Sequence, residues 1–116
     1  MSTLKEKERV EILQGTLDLL ILRTLELGSA HGHAIVKAIE MKSEEVLQVE
    51  QGSLYPALHR LEKRKWLGAE WREAETGRAA KFYSLTAEGR KRLLVEHSEW
   101  ERLSAAIGLV IQATQL

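Results

Sequence analysis

The sequence contains no cysteine. That excludes a disulfide scaffold, a Cys-ligated zinc and a thiol nucleophile, and it suits a reducing cytosol. One proline and eight glycines in 116 residues are too few for a collagen-like or linker-rich chain. No apolar run approaches the ~18 residues of a membrane span. The opening MSTLKEKERVEIL lacks the apolar centre of a signal peptide. A cytoplasmic protein without a membrane partner is expected. Glycine-rich phosphate loops, a Gly-x-Ser-x-Gly elbow and a His-Glu-x-x-His helix are also missing. Ser53 follows Gly52, but no His and acid arrangement supports it as a nucleophile, so neither an enzyme nor a cofactor is expected. His31 and His33 have no carboxylate or thiol at a ligand spacing, and His97 with Glu101 reads as a surface pair, so no metal site is expected.

What is present is a 44% hydrophobic, 29% charged chain, enough for one compact domain. Its 17 basic and 17 acidic side chains cancel, but unevenly. Residues 1–50 carry 6 basic and 9 acidic groups, residues 51–92 carry 10 and 5, and residues 93–116 carry 1 and 3. A basic island in the middle of a neutral chain implies a local anionic partner.

The chain begins with a polar, charged stretch, expected as a flexible arm over 1–11. From Ile12 onward Leu13, Leu17, Leu20, Ile21 and Leu25 define one helical apolar stripe. Leu19 and Leu22 are placed on another side of the same helix. Such a helix packs against two things, the second being another part of the domain or another subunit. Gly28 is its expected stop. A second helix is expected over 31–43, with Ala34, Ile35, Ala38 and Ile39 on one face. Residues 46–49 are either a brief strand or a loop that tucks Leu47 inward. A third helix begins near 51–53, with Pro56 expected in its first turn. Leu54, Leu58 and Leu61 face the core, while Gly52, Pro56, His59, Arg60 and Lys63 form the opposite face, flanked by Tyr55.

A β-hairpin follows, with strands over 69–73 and 81–85 and a turn at Gly77. Trp66 and Trp71 are expected to pack around its root. Thr86 caps a last helix running to about Ala113. Its Leu93, Trp100, Leu103, Ile107 and Val110 approximate a heptad seam. Helix, helix, helix, hairpin, long helix, with basic groups on the third helix and the hairpin, is the layout of a winged helix-turn-helix. In that layout the third helix enters a DNA groove and the hairpin reaches the neighbouring backbone. The fold class is therefore mainly α with a small β-hairpin. The division is a winged helix-turn-helix over 12–85 and a dimerisation helix over 86–116. A winged helix that serves protein interaction without DNA is the alternative.

The sequence resembles the PadR family of bacterial transcriptional regulators. The matching runs are LQGTLDLLIL at 13–22, HG at 31–32, QGSLYPALHRLE at 51–62 and GRAAKFYSLTAEG at 77–89. The lone last helix is similar to that of the compact members. The resemblance implies a homodimer that binds an inverted-repeat operator, usually as a repressor. It places DNA contacts on Ser53, Tyr55, Pro56 and Arg60, and wing contacts on Arg78 and Lys81. His59 and Lys63, on the same basic face, join them. The sequence departs from the family at His33, where Tyr is frequent, and at Ala79 and Ala80, where the wing often carries a further basic residue. The dimer seam is expected from Leu19, Leu22, Trp100, Leu103, Ile107 and Val110. Trp100, near the axis, is the candidate for stacking a small planar aromatic effector.

Overall fold

A computed structural model describes residues 10–11 and 14–115, without the side chains of 10 and 11. The elements are β1 (Val10–Glu11), α1 (Gln14–Glu26), β2 (Ala30–His31), α2 (Gly32–Lys42), β3 (Leu47–Gln48), α3 (Gln51–Lys63), β4 (Leu67–Glu73), β5 (Ala79–Leu85) and α4 (Ala87–Gln112). The protein is thus mainly helical with a small antiparallel sheet, in winged-helix order. Ile12 and Leu13, from the expected α1 stripe, lie outside the described residues.

One core holds α1, α2 and α3 together. Leu17, Ile21, Leu22 and Leu25 of α1 meet Ile35 and Ile39 of α2 and Leu54, Ala57, Leu58 and Leu61 of α3. Each set recurs at spacings of three and four, so each helix lays one stripe inward. Leu22 corrects the sequence reading. It is completely buried in this core, because position 22 follows 18 by one turn and faces α3, so it is not available to a partner. Leu19 stays half-buried on the outer side. Of the expected α2 face, Ile35 and Ile39 are buried and Ala34 and Ala38 are partly covered.

Caps set the element boundaries. The His31 imidazole Nδ1 accepts the N–H of Ala34 at 3.2 Å and opens α2, which gives His31 a structural task. Gly28, at φ +149°, closes α1. Pro56 is the sixth residue of α3 and not in its first turn. It removes the bond that the carbonyl of Gly52 would accept, at a position open to solvent. At the other end the Lys65 N–H reaches the Glu62 carbonyl and the Trp66 N–H reaches that of Leu61. This reversal, with Lys65 at φ 65°, swings the chain from α3 directly into β4.

The sheet has the order β2-β5-β4, antiparallel throughout. β4 and β5 are the expected hairpin, each longer by two residues at its N-terminal end, and the turn carries Gly77 at φ 84°. β2 was not foreseen, since two residues carry no periodic signal. β3 pairs in parallel with β1, Val10 opposite Leu47. Val10 and Glu11, expected within a flexible arm, are thus paired, and residues 1–9 lie outside the described residues. Of the 46–49 segment, Val49 is buried and Leu47 only partly so.

Thr86 joins sheet to helix. Its hydroxyl accepts the N–H of Gly89 at 2.9 Å and reaches the Lys65 carbonyl at 2.7 Å. The α4 helix is 26 residues, ~39 Å at 1.5 Å per residue. Only its foot is packed: Gly89 and Leu93 are buried, and from His97 outward nearly every residue is exposed.

Gly89 is where α4 presses hardest on the domain. A Cβ there would lie 2.1 Å from the Trp66 carbonyl oxygen and 2.6 Å from Leu85. Gly89→Ala is expected to lose about 3 kcal/mol or more, as strained close contacts do. Urea denaturation checks this, and a variant as stable as the parent would contradict it.

Candidate nucleic-acid interface

The outer side of α3 is open to solvent. Ser53, Tyr55, Pro56, His59 and Lys63 are all exposed, on the side away from Leu54, Leu58 and Leu61. Two of these residues are cationic or cationisable, two carry hydroxyls, and none is engaged by an ion pair among the described residues. Arg78 is exposed in the hairpin turn. These six residues of the sequence-derived set are solvent-facing as expected.

Arg60 and Lys81 are placed differently. Arg60 sits on the flank of α3, not opposite its leucines, and its Nη2 donates to Asp18 Oδ1 of α1 at 2.5 Å. Its side chain is 27% exposed. Asp18 is the buried polar residue of the core. Burial pushes its carboxyl above the ordinary carboxylate value, and the Arg60 guanidinium opposes that rise only in part. Lys81 points back from the wing onto α3. Its Nζ donates to Glu62 Oε1 at 2.9 Å and lies 5.4 Å from the centre of the Tyr83 ring. The Glu62 carboxylate raises the Lys81 ammonium above its usual value. Both cations are partly spent on holding the fold.

The tryptophans divide in the same way. Trp66 packs at the wing root between two guanidiniums, Arg64 and Arg92, each 5.1 Å from its ring. Trp71 does not pack. It is 70% exposed, although it stands opposite Lys81 on the strand face that buries Tyr83 two pairs further on. The alternation holds, but the hairpin runs past the end of the helical core. Arg72, on the other face, lies 4.0 Å over Phe82 and bonds Ser29.

Between the wing and the start of α2 lies a groove of about 910 Å³. Tyr55 forms part of its floor, packed so closely on Gly32 that a Cβ there would meet its hydroxyl at 2.9 Å. The groove also takes in His33 and Lys37 of α2, Trp71 and Arg78. His33 and Lys37 were missed as surface-site residues. Their i, i+4 spacing on the polar side of α2 was the available signal.

A second, smaller cavity of about 280 Å³ lies between α1 and α4. It is bounded by Gly15, Thr16, Leu19, Glu96, Glu99, Trp100 and Leu103. Three of the expected seam residues, Leu19, Trp100 and Leu103, come together here. Ile107 and Val110 lie further out along α4 and are exposed. Trp100 itself is 46% exposed. Among the described residues no cluster of metal-ligating side chains occurs, and no helix is long and apolar enough to cross a membrane.

The profile of the transcriptional regulator PadR-like family matches residues 21–94. Among solved structures, a transcriptional regulator from Clostridium thermocellum is 33% identical, with a TM-score of 0.75 over 82% of this chain and 92% of that one. A PadR family regulator from Eggerthella lenta is 30% identical, with a TM-score of 0.73 over 87% and 86%. A protein of Streptococcus mutans is 25% identical, with a TM-score of 0.79 over 92% and 96%. The chain belongs to the PadR-like family of transcriptional regulators, which are DNA-binding regulators and not enzymes.

The Asp18–Arg60 pair yields a pH signature. The Asp18 carboxyl is raised on folding, so the folded state holds its proton more tightly than the unfolded one. Its contribution is full below the ordinary carboxylate range and is lost as pH rises through the folded value. The stability advantage of the parent over Asp18→Asn is therefore expected to shrink as the pH climbs from about 4 toward neutrality. Urea denaturation at several pH values measures it. An advantage that grows with pH would contradict the assignment.

Proposed function

We propose that this PadR-family chain is a cytoplasmic repressor that binds an inverted-repeat operator in double-stranded DNA as a homodimer. The carrying observation is the exposed outer face of α3 beside an exposed wing turn. Cations there exchange counterions on phosphates, while hydroxyl and imidazole groups suit base edges. In this reading residues 12–85 are the DNA-binding unit and 86–116 the dimerisation helix. Ser53, Tyr55, Pro56, His59 and Lys63 face the groove, with Arg78 on the backbone. Arg60 and Lys81 reach DNA only at the expense of Asp18 and Glu62, so they act first as positioning residues.

The dimer is supported by surplus apolar surface. Leu103, Ile107 and Val110 are 59%, 49% and 76% exposed, on a helix that has left its own domain. A two-fold partner is the economical cover for such a face, and a heptad-like spacing is the right pattern for it. Leu19 would complete the seam from α1. The cavity at Trp100 is the place for a small planar aromatic effector. Glu99 on its rim favours a cationic one, while Glu96 there is held by Arg92.

Fluorescence anisotropy on operator-containing and scrambled duplexes, over a range of salt, tests the DNA reading. Lys63→Gln is expected to weaken binding to both and to reduce the salt slope by about 2, one for each protomer. Arg60→Ala is expected to act mainly through stability, lowering the melting temperature more than it changes that slope. Failure of the unaltered protein to bind any duplex at low salt would assign these faces to a protein partner instead. Light scattering tests the assembly separately: a dimer is expected at tens of micromolar, and Ile107→Glu is expected to yield monomers. A monomeric parent protein would end the seam assignment.

A further inference from the structure

We propose that the groove between α2 and the wing seats one sugar–phosphate strand of the duplex, with Trp71 as the wall against the deoxyribose faces and Lys37 and Arg78 as the phosphate partners. This rests on the DNA-binding reading and adds to it a strand seat and two residues, Trp71 and Lys37, outside the expected contact set.

The geometry argues as follows. Tyr55 from α3 and Arg78 from the wing turn line the same groove. A duplex that engages both α3 and the wing must carry a backbone across the gap between them, and that gap is this groove. Its lining has the chemistry of such a strand. A backbone alternates anionic phosphates with weakly polar sugars. The groove holds two cations, Lys37 and Arg78, and two aromatic side chains, Tyr55 and Trp71. Neither Lys37 nor Arg78 is in an ion pair among the described residues, so both charges are free for an anion. Glu75 is the single carboxylate of the lining, which leaves the groove net positive.

Trp71 is the most telling member. An indole 70% exposed offers a large flat face, and Trp is enriched at interfaces. It is rooted rather than loose: β4 and β5 are paired along their whole length, Trp71 opposite Lys81. Lys81 is in turn held by Glu62 of α3. The strand that carries Trp71 is therefore tied to α3. An aromatic wall on a tied strand favours one strand spacing, so it constrains the minor-groove width at the flank of each half-site as well as adding affinity.

Because backbone seating is independent of sequence, any duplex of about 30 base pairs, roughly three helical turns, serves as the probe. At low salt Trp71→Ala is expected to weaken anisotropy-detected binding about tenfold. Lys37→Gln is expected to weaken it less and to reduce the salt slope by about 2. Duplex addition is expected to change the tryptophan emission of the unaltered protein, and Trp71→Phe is expected to remove most of that change with Trp66 and Trp100 still present. Arg102→Gln, an exposed cation on α4, serves as the control for general charge and is expected to bind like the parent. If the parent binds DNA but Trp71→Ala and Lys37→Gln bind equally well, or if Arg102→Gln loses as much as Lys37→Gln, the groove assignment is overturned while the regulator reading stands. If the parent binds no duplex, both fall.

Discussion

The ion pair between Asp18 and Arg60 is the contact on which the presentation of the third helix turns. Leucines at 54, 58 and 61 bury α3 against α1, but apolar packing is nearly non-directional. A carboxylate inside the core is costly unless a cation meets it. Only Arg60, from the flank of α3, does so among the described residues. That pair adds a directional contact to the leucine stripe that turns α3 inward. With α3 held so, Gly52, Pro56, His59 and Lys63 turn outward together. The outward face of α3 is thus set by its buried leucines together with the charge buried on another helix.

The wing follows the same logic of a tethered root and a free end. Its root is held three ways: by the chain reversal at Lys65, by Thr86 against the Lys65 carbonyl, and by Lys81 on Glu62. Beyond Tyr83 the strands outlast the helices beneath them. Residues whose alternation points them inward then meet solvent, and Trp71 is the largest of these. A strand face that outruns its core is exposed by geometry rather than by composition.

In α4 the packed and unpacked halves have separate tasks. The foot, at Gly89 and Leu93, is pressed onto the sheet and α1 so closely that no side chain fits at 89. Past Glu96 the helix carries Trp100, Leu103, Ile107 and Val110 away from the domain. A neutral chain of this size has too little core to cover both sides of such a helix. The cavity against Leu19 lies where the two halves meet, beside α1, which also holds Asp18.

Much of this was legible in the sequence. Helical stripes, the hairpin alternation with Gly77, the Thr86 cap and the long last helix are local signals, each written within a few residues of where it acts. The family motifs extended those signals to a fold and an expected surface. What escaped was decided by neighbours distant in the chain. Leu19 and Leu22 differ by three positions and look alike, yet one reaches the surface and the other the centre, because only packing says which side faces α3. Arg60 reads as a free cation until Asp18, 42 residues earlier, is placed beside it. Trp71 reads as a packing residue until the core is seen to end beneath it. Periodicity determines which residues share a face. Only the assembled structure decides what that face meets, because burial and charge pairing are properties of the contacts between elements.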